Sequence, residues 1–245
     1  MLAILGGSGL TQFAELEVTR RKPVDTPYGA PSDALTIGTI GGAPALFLAR
    51  HGRGHSIAPH EVNYRANVWA LRQEGVEGIV AVAAVGGIRR DLAPGELLLP
   101  DQIIDYTWGR RSTFFEGADT PVTHIDFTEP YSAALRRRIL AAAAACGEPV
   151  VDGGVYAATQ GPRLESAAEI DRLERDGADV VGMTGMPEAA LAREAGLDYA
   201  AIAVVANHAA GRGESAGAVS LERIAAVLEQ AMHRVRRIIS TIVAR

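Results

Sequence analysis

The sequence predicts an α/β fold in a single domain spanning residues 1–245, with a mixed central β-sheet flanked by helices. Short apolar runs of strand length alternate with stretches of helical spacing, the pattern of a sheet with helices on its faces. No linker, low-complexity tract or internal repeat divides the 245 residues. That length is at the upper end for one domain and long enough to bury roughly 70–75% of the unfolded surface.

The strands are expected at 2–5, 34–40, 45–49, 78–85, 97–105, 154–159, 180–182 and 199–206, each a compact apolar run. A helix is expected at 62–74, where Ala66, Trp69 and Ala70 share one side and Gly75 offers a left-handed stop. Two shorter helices follow at 166–175 and 187–194, the second with Pro187 in its first turn. The last helix, 220–243, carries Ile224, Val227, Leu228, Ala231, Val235, Ile238 and Ile242 as a continuous stripe. Between these elements, 110–123 is a long loop with Gly, Asp and Pro; such loops in compact domains are often functional or sit at subunit contacts.

Composition narrows the partners. Hydrophobic residues at 48% and charged residues at 22% are ordinary for a soluble globular protein. A net charge of −5 gives no global attraction to nucleic acid or an anionic membrane, so neither is an expected partner, and any phosphate affinity must be local. The arginines at 136–138 and the basic stretch 233–237 read as solvated helix faces. Cys146 is the only cysteine; after the alanines at 141–145 it reads as a small buried thiol, and a reducing compartment fits. Residues 1–5 are too short for a secretory leader, and the longest apolar run, 78–88, is too short to span a bilayer. A soluble, cytoplasmic protein is expected.

Several segments bear on chemistry. Gly6-Gly7-Ser8-Gly9 directly follows the first strand; its backbone N–H groups and the Ser8 hydroxyl suit an anion, or the segment is a tight structural turn. It is neither a dinucleotide fingerprint nor a Walker loop, having Gln12 where the former needs glycine and no following Gly-Lys-Ser/Thr. Residues 50–55, Arg-His-Gly-Arg-Gly-His, end another strand. They suit a solvent-facing site in which Arg50 and His51 donate to phosphate, or an exposed basic loop. Asn63, Tyr64 and Arg65 open a helix, the latter two as surface polarity. Thr184 could donate to an anion or cap the next helix; Met183 could meet a sugar or fill the core. The histidines lack a helical ligand spacing and a carboxylate partner, so no metal is expected. Ser8 lies outside a Gly-x-Ser-x-Gly elbow, which disfavours a Ser-His-Asp hydrolase.

Taken together, residues 6–10, 50–55, 59–67, 94–107, 161–166, 183–196 and the strand into Asn207 resemble, in family order, the trimeric purine nucleoside and 5′-methylthioadenosine phosphorylases. The resemblance implies the nucleoside phosphorylase fold and phosphorolysis: inorganic phosphate, a co-substrate, attacks C1′ as a purine leaves. It implies no metal or organic cofactor. It places Ser8, Arg50, His51 and Thr184 at phosphate, with backbone near Ala84 completing the cradle, and Met183 at the ribose. Asn207 becomes the catalytic group that stabilises the departing base at N7. It also implies a homotrimer, with His124 reaching a neighbour's 5′ pocket.

The departures carry the substrate. Glu165 stands where methylthioadenosine phosphorylases have Ser, and Asn207 and Ala209 stand where they have Asp. The Glu and Asn pair resembles the reader of 6-oxopurine enzymes. A carboxylate accepts from N1–H, while the amide donates to O6 and accepts from N7–H. Leu164 replaces a phenylalanine at the base, and Ala83 a threonine near phosphate. At the 5′ end no histidine appears; Leu221 and Ile224 form an apolar wall suited to a methylthio group. The expected reaction is cleavage of 5′-methylthioinosine to hypoxanthine and 5-methylthioribose 1-phosphate. Phosphorolysis of methylthioadenosine, or of inosine and guanosine, is the alternative; a non-catalytic nucleoside binder would have no use for an anion site.

Overall fold

Strands that are apolar on both faces need cover on each, and the computed structural model of the chain shows how the sequence supplies it. The structure describes residues 1–118 and 120–245; Asp119, inside the loop expected at 110–123, lies outside the described residues. In chain order the elements are β1 (Leu2–Gly6), β2 (Glu17–Lys22), β3 (Leu35–Ile40), β4 (Ala43–Ala49), α1 (Tyr64–Gln73), β5 (Gly78–Gly87), β6 (Leu97–Leu99) and β7 (Gln102–Asp105). They continue with α2 (Ala133–Ala145), β8 (Val151–Asp152), β9 (Val155–Ala158), α3 (Ala167–Arg175), β10 (Val180–Gly182), α4 (Glu188–Glu194), β11 (Asp198–His208) and α5 (Leu221–Val243).

The strands form one mixed sheet along the path β2-β3-β4-β1-β5-β10-β9-β7, with β11 beside β5. β4, β1, β5 and β11 are mutually parallel. β10 runs antiparallel to the end of β5, pairing Val180 with Gly87 and Val181 with Gly86. Its C-terminus therefore runs back toward the middle of β5. The carboxyl ends of β1, β4, β5 and β11 and the exit of β10 thus converge on one edge, the place where open α/β sheets bind ligands.

The two faces bury separate cores. On one, Ile4, Val80, Val82, Ile202 and Val204 pack against α2 and α5, with Met232, Val235 and Ile239 from the latter. On the other, Leu5, Ile79, Ala81, Ala203 and Val205 pack with Ala70 and Leu71 of α1 and Ala189 and Ala192 of α4. Each apolar strand side chain removed from water contributes on the order of 1.5–3 kcal/mol, so the continuous apolar runs fix which segments become central strands. Among the described residues, no helix is long and apolar enough to cross a membrane.

Some expectations need correction. The strand expected at 97–105 is two strands in different parts of the sheet. Pro100 has no N–H to continue a ladder, and Asp101 turns its carboxylate to accept from Gly154 N at 2.8 Å. β2 was not expected: Glu17–Lys22 is an exposed edge strand whose polar residues show no apolar alternation, as suits an edge. β11 extends to His208, with a register shift between Val205 and Asn207. Tyr64 is buried rather than a surface group; its hydroxyl donates to Pro59 O at 2.9 Å. Arg234, expected on a solvated face, turns inward to Glu148 (2.8 Å) and Gly95 O (2.8 Å), and Arg136 pairs with Asp152. Cys146 is only partly buried, against Ala143 O.

Three helices near the site, α1, α3 and α5, begin on a side-chain cap, whereas α4 does not. Ser166 accepts from Glu169 N while the Glu169 carboxylate accepts from Ser166 N, a complete capping box at the start of α3. Ser166→Ala is expected to lower stability by about 1 kcal/mol in urea unfolding. A loss below about 0.3 kcal/mol would show that the box does not hold α3.

Candidate active site

A cavity of about 540 Å³ opens at the converging strand ends, within the size range of small-molecule sites. Six strands, or the loops at their ends, and one helix supply its walls. From the exit of β1 come Gly7 and Ser8, and from the exit of β4 come Arg50 and His51; Ala83 and Ala84 lie on β5. After β10, Met183 and Thr184 line it, and after β9 so do Leu164 and Glu165. Asn207 enters from β11. Leu221, Ile224 and Leu228 close it from the first two turns of α5, beside Val219. All the expected phosphate, base and sugar residues therefore face one space except His124, which is exposed and lies away from it.

Arg50 is set differently from the expectation of a freely donating phosphate arginine. It is 1% exposed and forms a two-pronged pair with Glu188, Nε to Oε2 at 2.6 Å and Nη2 to Oε1 at 2.9 Å. Nη1 donates to Val82 O at 2.9 Å, and Nη2 also approaches Leu5 O at 3.4 Å. Four of the five N–H groups are therefore engaged inside the protein, leaving one Nη1–H for an anion. Tyr199 adds a donor to Glu188 Oε1 at 2.8 Å. Burial works against the guanidinium charge, but the Glu188 carboxylate prevails and holds its pKa above the ordinary arginine value. Gly7 must be glycine for the same reason: a Cβ there would lie 2.8 Å from Arg50 Nη1.

His51 Nδ1 lies 2.8 Å from Ile57 O. A carbonyl only accepts, so Nδ1 carries the hydrogen and Nε2 of the neutral ring is an acceptor. Burial and the nearby Arg50 push the His51 pKa down to about 4, against the opposing bond to Ile57. The expected donation to phosphate thus requires a protonated ring; the neutral ring instead accepts, at Nε2, from a hydroxyl that the phosphate brings. His55 stands 4.6 Å from His51, ring centre to ring centre, and is likewise shifted down by burial and Arg50. Its φ of 51° is strained for a non-glycine residue, and its Nε2 reaches Ser8 Oγ at 3.4 Å. Thr184 does not cap α4, whose N-cap is Pro187; its backbone N faces the buried Tyr156 hydroxyl at 3.4 Å.

At the other end, Asn207 donates through Nδ2 to His208 O at 2.6 Å. Because that carbonyl accepts only, the amide orientation is fixed, leaving Oδ1 and the second Nδ2 hydrogen for a ligand. Glu165 accepts from Thr159 Oγ1 at 2.6 Å. Arg163, its neighbour in sequence, is diverted to Glu169 at 2.7 and 2.8 Å. Ser220 accepts from Arg223 N as the cap of α5, and the residues that α5 gives to the cavity, Leu221, Ile224 and Leu228, are apolar. Leu221 is 70% exposed at the rim.

Arg110, on the long loop, ties the walls together. Its Nη1 donates to Met183 O (2.8 Å) and Met186 O (2.6 Å), and its Nη2 to Gln160 O (2.8 Å) and Thr159 O (3.2 Å). One guanidinium thereby joins the loop bearing Glu165 to the loop bearing Thr184. Gly161, at φ +64°, brings the first loop against Met183, where a Cβ would strike the thioether. Sequence reasoning missed Arg110, Thr159 and Glu188. Only Glu188 left a signal: a lone carboxylate among Ala189, Ala190, Leu191 and Ala192, on a helix otherwise apolar inward.

Glu188→Ala, which leaves Arg50 buried and unpaired, is expected to cost about 3–5 kcal/mol in denaturant unfolding; a loss below about 1 kcal/mol would contradict the pairing. His51 also makes stability depend on pH. Unfolded histidine takes up its proton near 6.5, whereas the folded ring waits until about 4. Stability is therefore fully present above pH 6.5 and declines as pH falls from there toward 4. His51→Gln is expected to flatten the Tm profile over that interval, and an unchanged profile would refute it.

Comparisons with known proteins identify the family of the chain. The model of the phosphorylase superfamily matches residues 1–244. The chain is 52% identical over 242 residues to a protein of Pseudomonas syringae pv. tomato named as a probable S-methyl-5′-thioinosine phosphorylase, covering 99% of this chain and 98% of that one. It is 48% identical over 215 residues to a 6-oxopurine nucleoside phosphorylase of Pyrococcus furiosus, covering 86% of this chain and 80% of the relative. Among solved structures, the methylthioadenosine phosphorylase of Schistosoma mansoni in complex with adenine superposes with a TM-score of 0.95 at 35% identity, covering 99% of this chain and 90% of that one.

Proposed function

The chain belongs to the phosphorylase superfamily, and on that premise we propose that it cleaves S-methyl-5′-thioinosine with inorganic phosphate, releasing hypoxanthine and 5-methylthioribose 1-phosphate. The single observation that carries the reading is that Glu165 and Asn207 line the same cavity as an apolar wall of Val219, Leu221, Ile224 and Leu228. The first pair suits a 6-oxopurine; the wall suits a thioether rather than a hydroxyl.

The chemistry follows from where charge moves. A phosphate oxygen bonds to C1′ as the C1′–N9 bond breaks, and the bonding pair leaves with the purine. The proton that hydrogen phosphate loses balances the proton that the purine gains at N7. The free Nδ2 hydrogen of Asn207 donates to O6, a contact that strengthens as the ring becomes anionic, and Oδ1 accepts from N7–H as N7 gains its proton. Glu165 accepts from N1–H. Adenine presents a lone pair at N1, so the carboxylate repels it; mismatched buried polar groups of this kind discriminate by a factor on the order of 10⁴. Leu164 covers the base and Met183 the ribose. Ser8, Thr184, the free Nη1–H of Arg50, His51 and backbone at Ala84 hold phosphate. Phosphate is the co-substrate, and no metal or organic cofactor enters the reading.

The proposed assembly is a homotrimer in the cytoplasm, in which the exposed His124 of one subunit approaches the 5′ end of a neighbour's sugar. The exposure of Val122 and Leu221 supports such a contact. The Pyrococcus relative favours a second reading, phosphorolysis of inosine or guanosine, which shares the base contacts and differs at the 5′ end.

Phosphate-dependent turnover of methylthioinosine, methylthioadenosine and inosine tests these readings together. Methylthioinosine is expected to be used best. A preference for methylthioadenosine would overturn the base assignment, and a preference for inosine the 5′ assignment. Glu165→Gln is expected to reduce kcat/KM for methylthioinosine by about 10–100-fold, the loss of one hydrogen bond to a charged group, with the KM for phosphate little changed.

A further inference from the structure

We propose that Thr159 is a specificity-determining positioning residue: its hydroxyl holds one oxygen of the Glu165 carboxylate and so commits the other oxygen to the purine. The inference rests on the base-reading role of Glu165 proposed above.

Glu165 sits on a partly exposed loop between β9 and α3, and its side chain has several rotatable bonds to restrain. Among the described residues, its only side-chain hydrogen bond is the one from Thr159, at 2.6 Å. The Thr159 hydroxyl has one proton and two acceptors in reach, Glu165 Oε1 at 2.6 Å and Gly182 O at 3.3 Å. The shorter distance is that of a charge-assisted O–H···O⁻ bond, so the proton goes to the carboxylate. Glu165 Oε2 is left without a protein donor, and Glu165 borders the cavity. Arg163, two residues earlier, does not compete for it, being engaged by both oxygens of Glu169.

Thr159 can serve as an anchor because its own backbone is fixed on both sides. Its N–H donates to Gly182 O at 2.8 Å, which ties it to the end of β10. Its carbonyl accepts from Arg110 Nη2 at 3.2 Å, and Arg110 also holds Gln160 O and Met183 O. The orientation of the base-reading carboxylate is therefore referenced to the same strand end that carries Thr184. Without the hydroxyl, Glu165 is free to turn its oxygens toward an exocyclic amino group, or away from the base. The consequence is a loss of discrimination between bases beyond any general loss of rate.

The test compares Thr159→Val, which keeps the shape and removes the hydroxyl, with Thr159→Ser, which keeps the hydroxyl. The readouts are kcat/KM for methylthioinosine relative to methylthioadenosine, and the KM for phosphate. Thr159→Val is expected to lower the wild-type ratio by about tenfold, with phosphate KM within about twofold of wild type, and Thr159→Ser to retain the ratio. The inference is overturned if Thr159→Val leaves the ratio intact, if the serine variant loses it equally, or if phosphate KM worsens in step with the ratio. A wild-type ratio that already favours methylthioadenosine overturns the base assignment itself, and is read before any variant is made. A wild-type preference for methylthioinosine with an unmoved valine variant overturns the role of Thr159 alone.

Discussion

The buried pair of Arg50 and Glu188 is the constraint around which the site is organised. A guanidinium at the exit of β4 and a carboxylate in the first turn of α4 are both removed from water, at 1% and 0% exposure. Two charges in that position are tolerable only with nearly complete hydrogen bonding. The protein meets this demand with Val82 O from β5 and the Tyr199 hydroxyl from β11. Each partner comes from a different element, so satisfying the pair sets the relative placement of β4, β5, β11 and α4. Those elements, or the loops adjoining them, also carry His51, Ala84, Asn207 and Thr184. The same pairing explains why one cation can serve a phosphate site without binding anions indiscriminately: most of its donors and much of its field are already spent inside.

From that framework the cavity divides by chemistry along its length. At the proposed anion end, a nearly saturated arginine and a neutral histidine favour a ligand that can both accept and donate, which hydrogen phosphate does. At the proposed base end, an amide fixed by His208 O offers a donor and an acceptor, and a carboxylate held by Thr159 offers an acceptor only. The proposed sugar end is apolar along α5, where Leu221, Ile224 and Leu228 line the cavity. Arg110 binds the loops that carry Glu165 and Thr184, so the distance between them is set by one side chain and four carbonyl oxygens.

Much of this was legible in the sequence because burial on both faces of a sheet forces an unbroken apolar run. β1, β5, β10 and β11 were visible for that reason, as was the stripe of α5. The cavity-lining residues on their exits were legible too, since glycines and polar residues directly after apolar strands stand out. β2 was not, because an exposed edge strand is under no demand to alternate. The break at Pro100 required weighing a missing N–H against an otherwise apolar run. Tyr64 looked like surface polarity because nothing local reveals that Arg110, far along the chain, arrives beside it. The same limit hid the pairing of Arg50: sequence supplies the charges but not which of them meet. Thr159 was invisible as an anchor because its partner, six residues away, is reached only through the turn at Gly161.

The account depends most on two side chains meeting one heterocycle at the base end of this cavity. A crystal structure of the protein with hypoxanthine and phosphate bound tests it directly. Glu165 Oε2 is expected within about 2.6–3.2 Å of N1, with Asn207 at N7 and O6 and phosphate between Ser8 and Thr184. Hypoxanthine bound in this cavity with Glu165 and Asn207 turned away from its edge would contradict the account.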